Sequence, residues 1–178
     1  DRCRRAGIDS AVNMREIHRF IADSVYGMEM EKAVLNRLLE RQMPSSGKKV
    51  AVVGAGPTGL AAAFYLALLG HKVTVFDENS EPGGMLRFAL PEYRLPRKVV
   101  AAEVALIEKL GVEFVCNTRI GVDRTPRSLS EDFDSVFLAL GTWEASPIDL
   151  PGVQCTGVHH ALHFLDEVAH EKDVRVGQ

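Results

Sequence analysis

The sequence predicts an α/β fold of the doubly wound type, with a parallel sheet preceded by N-terminal helices. Three observations predict it. Residues 49–77, KVAVVGAGPTGLAAAFYLALLGHKVTVFD, read as strand, helix and strand. Residues 97–116 then repeat a helical pattern followed by a short apolar run. Residues 135–140 are nearly all apolar, as in a strand covered on both faces of a parallel sheet.

At the N-terminus, Asn13 can cap a helix, with Glu16 three residues later in a capping-box pattern. Met14, Ile17, Ile21, Val25 and Met28 keep helical spacing, and Gly27 interrupts it. A second helix, Met30 to Arg41, is expected to bury Val34, Leu35, Leu38 and Leu39. Met43-Pro44-Ser45-Ser46-Gly47 reads as a linker, which divides the chain into a helical segment, 1–46, and an α/β domain, 47–178.

The α/β domain opens with a strand, Val50 to Val53, and Gly54-Ala55-Gly56-Pro57-Thr58-Gly59. The apolar run Leu60 to Leu69 reads as a buried helix, and Lys72 to Phe76 as the second strand, ending at Asp77. This is a Rossmann-like βαβ unit for a dinucleotide. Gly54 allows the tight turn, Gly56 lets a pyrophosphate approach the backbone, and Gly59 lets helix and strand pack closely. The helix N-terminus offers free N–H groups and a positive dipole to phosphates. Asp77 has the spacing, roughly 20 residues after the glycines, of an acid that binds a ribose hydroxyl.

Asn79 to Glu92 is a connection too long for a simple turn. Arg97 to Leu110 reads as a helix that buries Val100, Val104 and Ile107 and stops at Gly111. Val112 to Cys116 and Ser135 to Leu140 read as strands and Ala161 to Ala169 as a helix.

Composition excludes several classes. The chain has 178 residues, a net charge of −3, 46% hydrophobic and 25% charged residues, ordinary values for a domain that buries a core. The negative balance weighs against a nucleic-acid surface, Arg2-Cys3-Arg4-Arg5 reading as a solvated terminus. No apolar run reaches the roughly 18 residues of a membrane span. Cys3, Cys116 and Cys155 are far apart and form no CxxC, which fits a reducing, cytoplasmic setting. No Ser-His-Asp arrangement or metal-ligand spacing appears, and His159 and His160 read as loop or helix-start residues.

The βαβ unit alone leaves the dinucleotide open between FAD and NAD. Gly83-Gly84 and Met85 favour a long ligand lying extended across the domain, since a second glycine turn lets backbone approach its far side.

The segments VAVVGAGPTGLAAAFYL, HKVTVFDENSEPGGMLRFALPEYRLP, LGVEFVCNTRIG and FDSVFLALGT resemble the glutamate synthase small-subunit family, which is related to the FAD domain of dihydropyrimidine dehydrogenase. The stretch Pro91 to Pro96, PEYRLP, is the most family-specific piece. The resemblance implies FAD in the first glycine motif, with NAD(P)H held by a later domain of a longer chain. It implies an oxidoreductase that passes electrons from NAD(P)H through FAD to iron–sulfur clusters or a partner subunit.

By the same resemblance, Gly54, Ala55, Gly56, Pro57, Thr58 and Gly59 would hold the pyrophosphate, and Asp77 and Glu78 the adenosine ribose. Gly84 and Met85 would line the path to the flavin, Arg94 would reach the flavin or its phosphates, and Ile120 would offer its backbone to the adenine. Leu140-Gly141-Thr142 matches the family's ATG turn, with leucine a departure. Read from the residues alone, Arg94 is a surface salt-bridge partner, Met85 fits core packing, and Gly141 is a strand-end turn.

Cys3 resembles the last cysteine of the family's iron–sulfur domain, and His18 falls where relatives place a non-cysteine cluster ligand. The other readings are an unpaired thiol and a helix-surface histidine. A cluster needs about four ligands, so Cys3 and His18 would serve one only in a longer protein, and the chain is read as a piece of such a protein. Two further readings stand beside this one: an NAD-dependent Rossmann dehydrogenase domain, and a non-catalytic docking domain.

Overall fold

The computed structural model of the chain describes residues 3–27, 30–146, 148–170 and 172. It divides into two compact units, Asp1–Glu40 and Arg41–Gln178.

The first unit holds a short 3₁₀ turn, Arg4–Gly7, the helix α1, Met14–Gly27, and most of α2, Glu31–Arg41. Asn13 caps α1 as expected: its Oδ1 accepts the Glu16 N–H at 3.3 Å. The reciprocal half of the capping box is not made, because the Glu16 carboxylate pairs with Arg15 at 3.3 Å. The apolar faces of the two helices are not buried. Met14, Ile17, Ile21 and Leu39 are exposed, and Val25, Val34, Leu35 and Leu38 are half-buried. Periodicity specifies a face, but two helices supply too little second layer to enclose it. Met28 lies outside the described residues.

In the second unit the linker is a strap. The Met43 N–H donates to the Leu68 carbonyl at 2.8 Å and the Ser46 N–H to the Gly70 carbonyl at 2.9 Å. Gln42 Nε2 donates to the carbonyls of Ala67 and Leu110.

The rest of the unit runs β1 (Lys49–Val53), α3 (Pro57–Leu68), β2 (Lys72–Phe76), α4 (Met85–Phe88), α5 (Arg97–Lys109), β3 (Glu113–Val115), α6 (Pro126–Asp132), β4 (Ser135–Leu138) and α7 (Ala161–Ala169). The four strands form one parallel sheet in the order β3-β2-β1-β4. Apart from their first residues, β1 and β2 are buried throughout, as continuous apolar strands of a parallel sheet should be. Helix α3 buries Gly59, Leu60, Ala63 and Ala67, while its outer side leaves Tyr65 exposed. Helix α5 buries Val100, Val104 and Ile107, the expected set. Leu129 of α6 is fully buried against Ala51, Val53 and Phe76. Phe133 meets Phe76 edge to face at 5.9 Å.

Strand β4 departs from expectation. It stops at Leu138 and lies at the sheet edge, with Phe137 41% and Leu138 64% exposed. An apolar run signals a strand but not how many neighbours flank it. Helices α4 and α6 were not legible as elements. Yet α6 carries a start signal: Thr125 Oγ1 accepts the Ser128 N–H at 3.1 Å, and Pro126 occupies the first turn.

The entrances of β1 and β4 are pinned by one carboxylate. Asp134 accepts from Lys48 Nζ at 2.7 Å and from the Lys49 N–H at 2.9 Å. The Lys48 ammonium, then the Lys49 N–H, hold its carboxyl below the usual carboxylate range, and Lys48 is raised in turn. A carboxyl depressed by folding adds stability above its unfolded pKa and loses it as pH falls through the depressed value; the raised lysine loses its share only at alkaline pH. Asp134→Asn should therefore lower the urea midpoint at neutral pH, and the gap from wild type should shrink as pH falls below about 4.

Candidate dinucleotide-binding site

From β1 the chain moves outward to β2 and β3, then returns to β4 on the other side of β1. The carboxyl end of β1 is thus the switch point where open α/β sheets bind ligands. Gly54 leaves β1 there with φ +102°, and its N–H donates to the Phe76 carbonyl at 2.7 Å. A Cβ on Gly54 would lie 2.3 Å from the Ala139 carbonyl oxygen. A Cβ on Gly59 would lie 1.8 Å from the Gly54 carbonyl oxygen. These two glycines are demanded by the protein's own packing.

Gly56 differs. It is the N-cap of α3, with φ −74° and ψ −176°, a conformation open to any residue. Its Cβ would meet only Gly84 Cα, at 3.9 Å. The protein leaves a cradle that a side chain would fill. Pro57 and Thr58, exposed beside it, open the 12-residue α3 with no acidic residue in the first turn and no side-chain cap. The N–H groups of that turn are left for an anion.

The second glycine pair closes on the first. The Gly83 N–H donates to the Ala55 carbonyl at 2.9 Å, and Gly84, at φ +50°, would place a Cβ 2.7 Å from Gly56 Cα. Met85 follows, half-buried, as the first residue of α4. Arg87, which sequence reasoning missed, locks this loop from below. It is 8% exposed, donates to the Pro82 carbonyl at 2.9 Å and pairs with Glu81 at 2.6 Å. No sequence pattern sets it apart from other arginines.

Asp77 stands at the end of β2, also 8% exposed. Its Oδ2 accepts the Ala55 N–H at 2.6 Å, and its Oδ1 accepts from Asn79 N and Nδ2 at 2.9 and 3.0 Å. Three donors take three of the roughly four acceptor positions of a carboxylate. Its first task is to hold the glycine loop against β2. Glu78 is exposed and pairs with Arg119 at 3.4 Å, so its oxygens face solvent at the same strand end.

Bonds from the Thr118 N–H to the Asp77 carbonyl, 2.8 Å, and from the Asn117 N–H to the Asn79 carbonyl, 2.9 Å, bring Ile120 near this end, its side chain in the Leu129 cluster. Gly141 is exposed with φ +71° and nothing close to a Cβ except the Trp143 ring at 3.9 Å. Ala139, two residues earlier, lies against the glycine loop at Gly54. Arg94 is exposed and forms no ion pair among the described residues.

Cys3 is half-exposed and caps the 3₁₀ turn, its thiol lowered by backbone hydrogen bonds at Val12 and Arg5; burial pushes Cys116 up. His18 is exposed on α1. Among the described residues no group of three or more His, Cys, Asp or Glu gathers as a metal site. His160 is the N-cap of α7 and accepts the Leu162 N–H at 3.3 Å, as its helix-start reading expects. No helix among the described residues is long and apolar enough to cross a membrane.

The space at Gly56 and the uncapped first turn of α3 have room and free N–H groups for a dinucleotide pyrophosphate. The family model described as pyridine nucleotide-disulphide oxidoreductase matches residues 48–177. The beta subunit of NADP(+)-dependent formate dehydrogenase from Moorella thermoacetica is 40% identical over 85% of this chain and 24% of its own. The glutamate synthase [NADPH] small chain of Bacillus subtilis is 38% identical over 92% of this chain and 32% of its own. The chain thus spans about a quarter to a third of the length of these relatives. Among solved structures, Mycobacterium tuberculosis FprA in complex with NADPH matches with a TM-score of 0.60 and 24% identity over 70% of this chain and 29% of its own, a likeness of fold. The 2-naphthoyl-CoA reductase complex gives 0.58 and 27% identity over 75% of this chain and 19% of its own. The chain belongs to the pyridine nucleotide-disulphide oxidoreductase family, whose FAD/NAD-binding α/β domain it forms.

Proposed function

We propose that this chain is the FAD-holding part of an NAD(P)H-linked flavin oxidoreductase that sends electrons to iron–sulfur clusters or a partner subunit. The observation that carries the reading is the meeting of two glycine turns, Gly56 against Gly84, at the open N-terminus of α3. A second glycine turn suits a ligand longer than a mononucleotide, extending past the pyrophosphate.

In this reading the N–H groups of the Gly54–Gly59 loop and the first turn of α3 hold the pyrophosphate. Asp77 keeps the loop in shape, and Glu78 offers the open carboxylate for the adenosine ribose. Ile120 borders the adenine, Met85 and Gly141 border the flavin end, and Arg94 is an uncommitted cation on the flavin side. Bound FAD would supply a carrier that takes two electrons as one hydride and passes them on; the protein's share is to bind, orient and tune it.

The names of similar proteins support the wider setting. They include the NADPH-Fe(3+) oxidoreductase beta subunit of Geobacter sulfurreducens, 38% identical over 84% of this chain and 22% of its own. An NAD(P)H domain, an iron–sulfur domain using Cys3 and His18 with ligands from elsewhere, a division into 1–46 and 47–178, and a cytoplasmic setting belong to this proposal.

The test is a visible absorption spectrum of the purified chain with and without FAD, followed by identification of whatever denaturation releases. The expected result is a flavin spectrum and released FAD. Protein that stays colourless with FAD yet binds NAD would overturn the reading in favour of a nicotinamide dehydrogenase domain. A folded chain that binds neither would favour a docking domain.

A further inference from the structure

We infer that Arg87 is a positioning residue of the dinucleotide site: it presets the second glycine turn and, through that turn, the affinity for the ligand. The inference rests on the FAD reading for what is bound, and on the chain's own contacts for how the turn is held.

The turn has little to hold it from within. Gly83 sits at φ +137°, and Gly84 at φ +50° and ψ −132°. Glycine adopts such conformations readily, but it has many others open to it. The helix that follows, α4, has four residues and no side-chain cap, too few to be stable by its own hydrogen bonds. Yet the place of Gly84 matters closely, since a Cβ on it would come within 2.7 Å of Gly56 Cα. Gly84 thus sets the width of the space beside Gly56.

Arg87 supplies what the glycines lack. Its N–H donates to the Gly84 carbonyl at 3.0 Å. Its side chain turns back beneath Gly83, where a Cβ would lie 2.9 Å from Arg87 Cβ and 3.5 Å from Nε. Nε then donates to the Pro82 carbonyl at 2.9 Å, and Nη1 pairs with Glu81 at 2.6 Å. One residue grips the chain at 81, 82 and 84. Its side chain is 10% exposed and committed to these two acceptors, so it acts on a ligand through the turn.

Stability alone does not account for a cation in this place. Burying a guanidinium costs desolvation that an ion pair offsets only in part. The Glu81 side chain is 59% exposed and would stay hydrated if Arg87 were replaced. An apolar side chain of similar length should therefore leave the fold standing and loosen the turn. A loose turn must be ordered when the ligand binds, which lowers affinity.

The test is amide hydrogen exchange of the ligand-free chain together with FAD titration, for wild type, Arg87→Met and Arg87→Lys. In Arg87→Met the Gly83 N–H, bonded to the Ala55 carbonyl, should exchange about tenfold faster or more, while β1 and β2 keep their protection. The thermal midpoint should stay near wild type, and FAD affinity should fall about tenfold or more. Arg87→Lys keeps the charge but not the fork that reaches two acceptors, so it should fall between the two. Unchanged Gly83 exchange in Arg87→Met, or unchanged FAD affinity beside a wild type that binds, would overturn the proposal. So would equal loss of protection in β1 and β2, the mark of a general stabiliser. A wild type that binds no FAD would overturn the FAD reading, and the exchange contrast then decides by itself whether Arg87 sets the turn. Should Arg87→Met not fold, the same exchange contrast in Arg87→Lys decides: faster Gly83 exchange supports the proposal and wild-type exchange overturns it.

Discussion

Gly59→Ala should destabilise the α/β unit by about 3 kcal/mol or more, as an added methyl group with no room does in a packed core. The new Cβ would fall 1.8 Å from the Gly54 carbonyl oxygen and 3.4 Å from Val52 Cγ1. The first obstacle is backbone, which has no rotamer to yield. Helix α3 must therefore lift from β1, and Leu60, Ala63 and Ala67 would lose contact with the sheet. In a unit of this size the melting temperature should drop by roughly 10 °C. A thermal melt by circular dichroism checks it. Gly7→Ala is the control: its Cβ meets nothing within 4 Å and no positive φ is at stake, so its melt should match wild type.

Asp77→Ala should cost about 3 kcal/mol, since it strips the acceptor from the buried Ala55 N–H, which then has no water to turn to, and from two half-buried donors of Asn79. The Ala55 N–H, bonded to Asp77 Oδ2 at 2.6 Å, lies in a residue with no exposed surface. The Asn79 N–H and Nδ2 lose their acceptor as well. Urea unfolding should show the loss without any ligand present. A role confined to ligand binding would leave unfolding in the absence of FAD unchanged and weaken only affinity. Glu78→Gln supplies the opposite pattern: little change in stability, because Glu78 is exposed and its pair with Arg119 is solvated, and weaker FAD binding.

The sequence carried the central strands and the glycine loop plainly, because both are written in unambiguous local chemistry. β1 and β2 are continuous apolar strands, and α5 keeps Val100, Val104 and Ile107 on one buried face. Gly54 and Gly59 occupy positions where any other residue collides with backbone. What stayed hidden depends on tertiary neighbours. Phe137 and Leu138 read as interior, yet β4 is an edge strand in this chain. The helical stripe of α2 named an apolar face without saying what covers it. Helix α6 buries one residue, Leu129, too few for periodicity to register, and its Thr125 cap was not read from the sequence. At the site, spacing located Asp77 but not its partners, the Ala55 N–H and Asn79, through which it also braces the loop. Arg87 and Ala139 do their work through contacts that no spacing rule encodes.

The central claim is that the open space at Gly56 belongs to a dinucleotide pyrophosphate. Titration of wild type and Gly56→Leu with FAD, each checked by its thermal melt, tests it most directly. The side chain at position 56 meets no backbone closer than 3.9 Å at its Cβ, so the variant should fold with nearly wild-type stability. Its FAD affinity should fall at least a hundredfold, about 2.7 kcal/mol. A folded Gly56→Leu protein that binds FAD as tightly as wild type would contradict the account.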